Sequence, residues 1–251
     1  MNTFNPFSLA GKTILVVGAS TGMGREIAIE CSKMGAKVVV ASRNETKLKE
    51  VVSEMEGDGH IVIPVDLTKQ EDIENLVLST PEVDGMLVGS GIGLALPIQF
   101  CSRDKFDEVF NLNFFAYTEL TRLMYKKKKI KKGGSIVFIA SLAAGFSIVV
   151  SNSVYGAAKA ALNNFMKYAA LEFAPRKIRV NTINPGMVHT PLTAAGSISD
   201  ADMEKDMNEN YPLKRYGEPE DIAPLAIYLL SDASSWVTGQ AIVIDGGRSL
   251  K

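Results

Sequence analysis

Seven short apolar runs alternate with helical patterns along this chain, and that alternation constrains its fold more than any other feature. The runs are 13–17 (TILVV), 37–41 (KVVVA), 61–65 (IVIPV), 85–89 (GMLVG), 135–140 (SIVFIA), 178–183 (IRVNTI) and 241–245 (AIVID). Most are rich in Val and Ile and apolar throughout, which suits parallel strands covered on both faces. Helical periodicity fills the intervals at 23–34, 44–54, 69–78, 103–129, 154–174 and 219–230. Parallel neighbours need crossover connections, so this order predicts an α/β, doubly wound, seven-stranded parallel sheet with helices on both faces. Ligands of such sheets bind at the carboxyl ends of the strands. No Pro/Gly-rich linker or change of composition divides the 251 residues, so 1–251 reads as a single domain.

Bulk properties exclude several function classes. A net charge of −1 gives no global field toward nucleic acid or a membrane surface. Cys31 and Cys101 lie far apart and outside metal-ligand spacing, so reduced thiols in a cytoplasmic protein without a metal are expected. The opening MNTFNPFSLAGK lacks the basic flank and apolar core of a secretion signal. The longest apolar stretch, 136–150, is broken by Ser and Gly and is too short to span a bilayer. The lysine run KKKKIKK at 126–132 reads as the solvated end of the long helix, where cations complement the helix dipole.

The first apolar run leads directly into GASTGMG at 18–24, and a helical pattern follows. This is the strand–turn–helix setting of a phosphate cradle. Glycines permit the turn and a close backbone approach, and the helix offers its first amides to negative charge. Gly18, Ser20, Thr21, Gly22, Met23 and Gly24 are the candidate cradle of a Rossmann dinucleotide fold, with spacing G-x3-G-x-G rather than the usual fingerprint. About twenty residues on, where such folds read the adenosine ribose, stand Ser42 and Arg43 instead of a carboxylate. A guanidinium with a neighbouring hydroxyl suits a 2′-phosphate, so NADP(H) is expected over NAD(H). Asp66, with Leu67 beside it, closes the third run and is placed to meet the adenine amino group or to cap a helix.

In VYGAAKAAL at 154–162, Tyr155 and Lys159 stand at i and i+4 and share one helix face. A tyrosine is a poor acid–base at neutral pH, and a nearby ammonium stabilises its phenolate. Ser141, at the end of the fifth run, is placed to hold a substrate carbonyl.

Several motifs recur in one order: GASTGMG, Asp66, FNLN (110–113), IAS (139–141), YGAAK (155–159), NPGMVHT (184–190), YPLKRYGEPEDIA and VTGQAIVIDGG. In these the chain resembles the short-chain dehydrogenase/reductase family over nearly its whole length. It is similar to the shorter, single-domain, NADP(H)-preferring branch that holds the 3-oxoacyl-carrier-protein reductases. The resemblance implies that Tyr155 protonates a carbonyl oxygen while the cofactor delivers hydride. Lys159 would tune Tyr155 and bind the nicotinamide ribose, Ser141 would orient the carbonyl, and Asn113 would support a water-mediated relay. Pro185 and Gly186 would shape the loop beneath the nicotinamide, with the Val188 backbone and the Thr190 hydroxyl at the carboxamide and phosphate. A substrate lid is implied at about 191–212, and a homotetramer through the helices at 103–129, which carries Phe106, Phe110, Phe114 and Phe115, and at 154–174.

The lid carries Asp200, Asp202, Glu204, Asp206 and Glu209, with Met203 and Met207 as an adaptable apolar edge. A neutral ketone, aldehyde or acyl-thioester substrate suits it better than a highly anionic one. An acidic carrier would need a basic landing site, and Lys131, Lys132, Arg176 and Lys177 fall at the opposite sheet edge. The alternatives are a non-catalytic NADP-binding sensor or scaffold and an NAD-dependent alcohol or sugar dehydrogenase.

One segment departs from the family. MLVGSGIG at 86–93 stands where the family has Asn-Asn-Ala-Gly, with Gly89, Ser90 and Gly91 in its core, and Val17 replaces a threonine before Gly18. Losing both partners of a buried hydrogen bond is nearly neutral, so the two changes are expected to compensate. The segment then walls the same cofactor site rather than forming a second phosphate cradle, and Ser90 is the candidate to replace the lost asparagine.

Overall fold

The computed structural model describes residues 5–194 and 199–251. Its strands are β1 (Thr13–Val17), β2 (Lys37–Ser42), β3 (Ile61–Pro64), β4 (Val83–Val88), β5 (Ile130–Ile139), β6 (Arg179–Pro185) and β7 (Ala241–Ile244). They form one sheet in the order β3-β2-β1-β4-β5-β6-β7, and every neighbouring pair is parallel. Its helices are α1 (Gly22–Lys33), α2 (Glu45–Ser53), α3 (Gln70–Ser79), α4 (Arg103–Phe110), α5 (Ala116–Lys126), α6 (Ser153–Phe173), α7 (Pro191–Ala194), α8 (Asp200–Asn210) and α9 (Pro219–Leu230).

The apolar runs are explained by burial on both faces of the sheet. Leu15 and Val17 of β1 join a core with Leu76 of α3, Leu120 of α5 and Leu162 of α6. Ile14 and Val16 face the other way, onto Ile27 of α1 and Ile222 of α9. These four β1 side chains are fully buried, so a polar replacement on either face strands an unpaired group. Val17 is one of them. Its carbonyl accepts from the Gly89 N–H at 2.9 Å, and no side-chain hydroxyl is needed to join the two strand ends.

Two boundaries differ from the sequence expectation. The helix expected over 103–129 is interrupted: between α4 and α5, Asn111–Phe115 form a π-helical turn around the fully buried Asn113. It also stops at Lys126, because Lys128 takes a left-handed conformation (φ 56°) and buried Ile130 pairs with Val83 to begin β5. Only the start of the lysine run therefore sits at a helix end. Lys131 lies in β5 and bonds Asp84 at 2.9 Å.

The expected lid contains α7 and α8, and residues 195–198 within it lie outside the described residues. Met203 and Met207 are half-buried, and the Tyr216 hydroxyl donates to Asp206 at 2.8 Å, tying α8 to the body. No helix among the described residues is long and apolar enough to cross a membrane.

Candidate active site

The chain passes from β1 to β2 on one side, while β4 lies on the other, so the carboxyl ends of β1 and β4 open a crevice at a topological switch point. A cleft of about 380 Å³ occupies it. The first glycine loop forms its floor. Gly18 has φ 87° and Gly22 φ 56°, and a Cβ on Gly18 would stand 2.7 Å from the Ser90 nitrogen. A Cβ on Gly24 would run into the Gly18 carbonyl oxygen, so the first turn of α1 packs directly on the loop.

All six candidate residues of that loop line the cleft, as do Ser42, Arg43, Asp66, Leu67, Gly89, Ser90, Gly91 and Thr190. Pro185, Gly186 and Val188 do not. The Gly186 N–H is engaged by the Ile244 carbonyl at 3.0 Å, and Val188 is buried where it bridges to Gly217. The sequence reading missed Lys47, which also lines the cleft. The signal was present, because Lys47 follows Arg43 by four residues, and Asn44 caps α2 by accepting from the Lys47 N–H at 3.0 Å.

The donor set fits a phosphorylated dinucleotide. The Ser42 hydroxyl is buried with no hydrogen-bond partner among the described residues, and the cationic Arg43 and Lys47 line the same cleft. Asp66 is held below the usual carboxylate range, first by the Thr68 hydroxyl (2.7 Å) and N–H (3.0 Å) and then by the Arg43 charge. It therefore stays an acceptor at neutral pH. Among the described residues, no group of His, Cys, Asp and Glu is arranged to hold a metal ion.

Behind the cleft, the ends of β5 and α6 bring together Ser141, Tyr155 and Lys159. Backbone bonds continue past β5, from Ala140 N–H to Ile183 and from Leu142 N–H to Pro185, each 2.8 Å, and fix Ser141 between them. The Ser141 hydroxyl accepts from the Ala143 N–H at 3.1 Å and stands near the Tyr155 phenol. Burial raises the Tyr155 pKa, and the nearby Ser141 hydroxyl pulls it partly back. Lys159 is buried, donates to the Ile139 carbonyl at 2.9 Å, and stands 5.9 Å from the centre of the Tyr155 ring. Desolvation pushes its ammonium down to about 7. Asn113 donates to the Ile92 carbonyl at 2.8 Å and accepts from its N–H at 2.9 Å, so its side chain ties the π-helical turn to the loop after β4.

A buried polar ring holds α6 in place one turn beyond Lys159. Thr182 donates to Asn163 (2.7 Å), Asn163 to Asn184 (2.8 Å) and Asn184 back to Thr182 (3.1 Å). A closed ring of this kind satisfies its own members and fixes one packing of helix on strand. Among the described residues the Ser90 hydroxyl makes no hydrogen bond in place of the lost asparagine; its oxygen packs toward the first loop, 2.8 Å from where a Gly18 Cβ would stand. It is the Ser90 carbonyl that is engaged, by the hydroxyl of Tyr117.

Comparison with known proteins gives the same picture. The family described as Enoyl-(Acyl carrier protein) reductase matches residues 18–249. A tropinone reductase homolog of Arabidopsis thaliana is 32% identical over 254 residues, covering 98% of this chain and 96% of that protein. A putative NAD(P)-dependent gluconate 5-dehydrogenase from Beutenbergia cavernae, solved with NADP at low occupancy, has a TM-score of 0.88 at 32% identity, covering 98% of this chain and 100% of that one. The 3-ketoacyl-(acyl-carrier-protein) reductase of Brucella melitensis, complexed with NADH, has a TM-score of 0.86 at 30% identity, covering 96% and 100%. With its parallel sheet, its crevice at the β1–β4 switch and these full-length relatives, the chain belongs to the short-chain dehydrogenase/reductase family of oxidoreductases.

Proposed function

We propose that this protein is an NADP(H)-dependent reductase that converts a carbonyl into an alcohol, with Tyr155 as the general acid. The observation that carries this reading is the Tyr155 phenol, set near the Ser141 hydroxyl and with the buried Lys159 ammonium 5.9 Å from its ring centre. Ser141 orients the carbonyl oxygen, and Tyr155 gives its proton to that oxygen as negative charge develops there. Lys159 favours the phenolate that remains, and Asn113 holds the loop that borders the lysine. A reduced nicotinamide held in the cleft would supply the hydride to the carbonyl carbon. Ser42, Arg43 and Lys47 would hold the 2′-phosphate, which favours NADPH over NADH.

An apolar substrate body fits the surroundings. Ile98, with Ile148 and Val150 of the loop that follows Ser141, lines one pocket and all three are at least 75% exposed, while the lid helix α8 is acidic. A 3-oxoacyl thioester is the first substrate to test, given the likeness to the Brucella reductase. Two of the four basic residues considered for an acidic carrier are already engaged, Lys131 with Asp84 and Arg176 with the Ile130 carbonyl at 2.6 Å. The carrier part of the reading therefore has the weaker support. Assembly as a homotetramer belongs to the same proposal: Phe115, Tyr168 and Leu171 are exposed on the two long helical segments, whereas Phe106, Phe110 and Phe114 pack inward. A monomer by light scattering would overturn it.

The test is loss of NADPH absorbance with a panel of ketones and acetoacetyl thioesters. Tyr155→Phe should lower the rate by about a hundredfold or more. A variant that keeps wild-type turnover would overturn the mechanism.

A further inference from the structure

Helix α5 reaches the second glycine loop through a side chain that the proposed chemistry does not use. Tyr117 stands one turn beyond Asn113 and is fully buried. Its hydroxyl donates to the Ser90 carbonyl, its ring meets Phe138 edge-on at 5.7 Å, and the Lys159 ammonium lies 5.1 Å from the ring centre. Asn113 takes both backbone groups of Ile92. Two side chains four residues apart thus grip the two ends of the short segment 90–92.

We propose that Tyr117 is a positioning residue with two separable roles: its hydroxyl fixes the Ser90–Gly91 backbone against the cofactor cleft, and its ring keeps Lys159 charged opposite Tyr155. The inference rests on the reading of Tyr155 and Lys159 given above. Three glycines in 89–93 leave that loop with wide backbone freedom, and Ser90 and Gly91 line the cleft, so whatever fixes them fixes one of its walls. Lys159 is buried and, among the described residues, has no carboxylate partner. The titratable groups that face it are Tyr155 from its own helix and Tyr117 from α5, while β5 and the loop meet it with the Ile139 carbonyl and Gly91. Burial keeps the Tyr117 phenol protonated, so it acts as a donor and an aromatic face. The negative face of that ring opposes the desolvation of the ammonium.

Two substitutions separate the roles. Tyr117→Phe keeps the ring and removes the hydroxyl, and Tyr117→Leu removes both. NADPH affinity, measured by fluorescence titration without substrate, is expected to fall about five- to tenfold in both variants, because the Ser90 carbonyl loses its donor. The pH dependence of alcohol oxidation, which needs the Tyr155 phenolate, should move in Tyr117→Leu alone. Its rising limb is expected about half a unit higher, because a less charged Lys159 favours the phenolate less. A pentafluorinated phenylalanine at 117 keeps the shape of Tyr117→Phe but reverses the ring's charge distribution, and should give the same upward shift even if Tyr117→Leu does not fold. Wild-type affinity in Tyr117→Phe would overturn the role of the hydroxyl. An unmoved limb in both the Leu and the fluorinated variants would overturn the role of the ring. A wild-type protein that binds NADPH but turns over no carbonyl would instead overturn the reductase reading, and the affinity measurement would still decide the hydroxyl.

Discussion

The two glycine loops, 18–24 and 89–93, end neighbouring strands and border one cleft, yet they use glycine for different reasons. In the first, Gly18 and Gly22 take left-handed conformations that a side chain would strain, and Gly24 lets α1 seat against the Gly18 carbonyl. In the second, none of Gly89, Gly91 and Gly93 has a positive φ. There the missing side chain leaves space: a Cβ on Gly91 would stand 3.1 Å from the Asn113 side-chain oxygen and 3.7 Å from the Lys159 nitrogen. One loop shapes a backbone, and the other makes room for a buried lysine and the side chains around it. A glycine-rich string is therefore not one signal but two, and only the neighbours tell them apart.

Four substitutions put that contrast to the test. The largest effect is expected beneath the second loop. Lys159→Met removes an ammonium whose pKa burial has lowered to about 7. Below that pH both the folded and unfolded chains carry the proton, and the folded one bears the full cost of burying it. Between about 7 and the ordinary lysine value the folded chain sheds its proton while the unfolded chain keeps it, so the cost disappears as pH rises. The variant should be more stable than wild type by on the order of 4 kcal/mol at pH 6, with the difference shrinking toward pH 10, as read by denaturant unfolding across pH. A difference that does not change with pH would show that Lys159 is not held against its charge.

Gly24→Ala should come next, costing about 3 kcal/mol because the new methyl meets backbone rather than a flexible side chain. NADPH binding by isothermal titration should be lost along with it. The smallest effects separate two glycines of the second loop. Gly91→Ala is expected to cost about 1 kcal/mol by crowding Asn113. Gly89→Ala should gain about 0.5 kcal/mol, since its Cβ would meet only ordinary contacts at 3.4 Å and beyond. Equal melting temperatures for these two variants would remove the distinction drawn between the loops.

Much of this was legible in the sequence because it is local. Apolar runs such as TILVV and KVVVA mark strands buried on both faces, and the i, i+4 spacing puts Tyr155 and Lys159 on one side of α6. The cradle was legible for the same reason, as its glycines, strand and helix are contiguous. The π-helical turn at Asn111–Phe115 was not. It depends on Asn113 finding both backbone groups of Ile92, a residue distant in sequence. The ring of Asn163, Thr182 and Asn184 was hidden likewise, because three ordinary polar residues acquire a role only when α6 lies across β6.

By itself the sequence determined the order of elements, the parallel sheet and the residues available for the chemistry, since hydrophobic period and helical spacing act over a few residues. Only the tertiary structure decided how those residues are tuned. It joined Val17 to Gly89 through a backbone hydrogen bond, set Tyr117 against Lys159, and left the Ser42 hydroxyl unpartnered among the described residues, in the cleft beside Arg43 and Lys47. Burial, ring contacts and unmet hydrogen bonds are properties of neighbours brought together by the fold, and no stretch of contiguous sequence contains them.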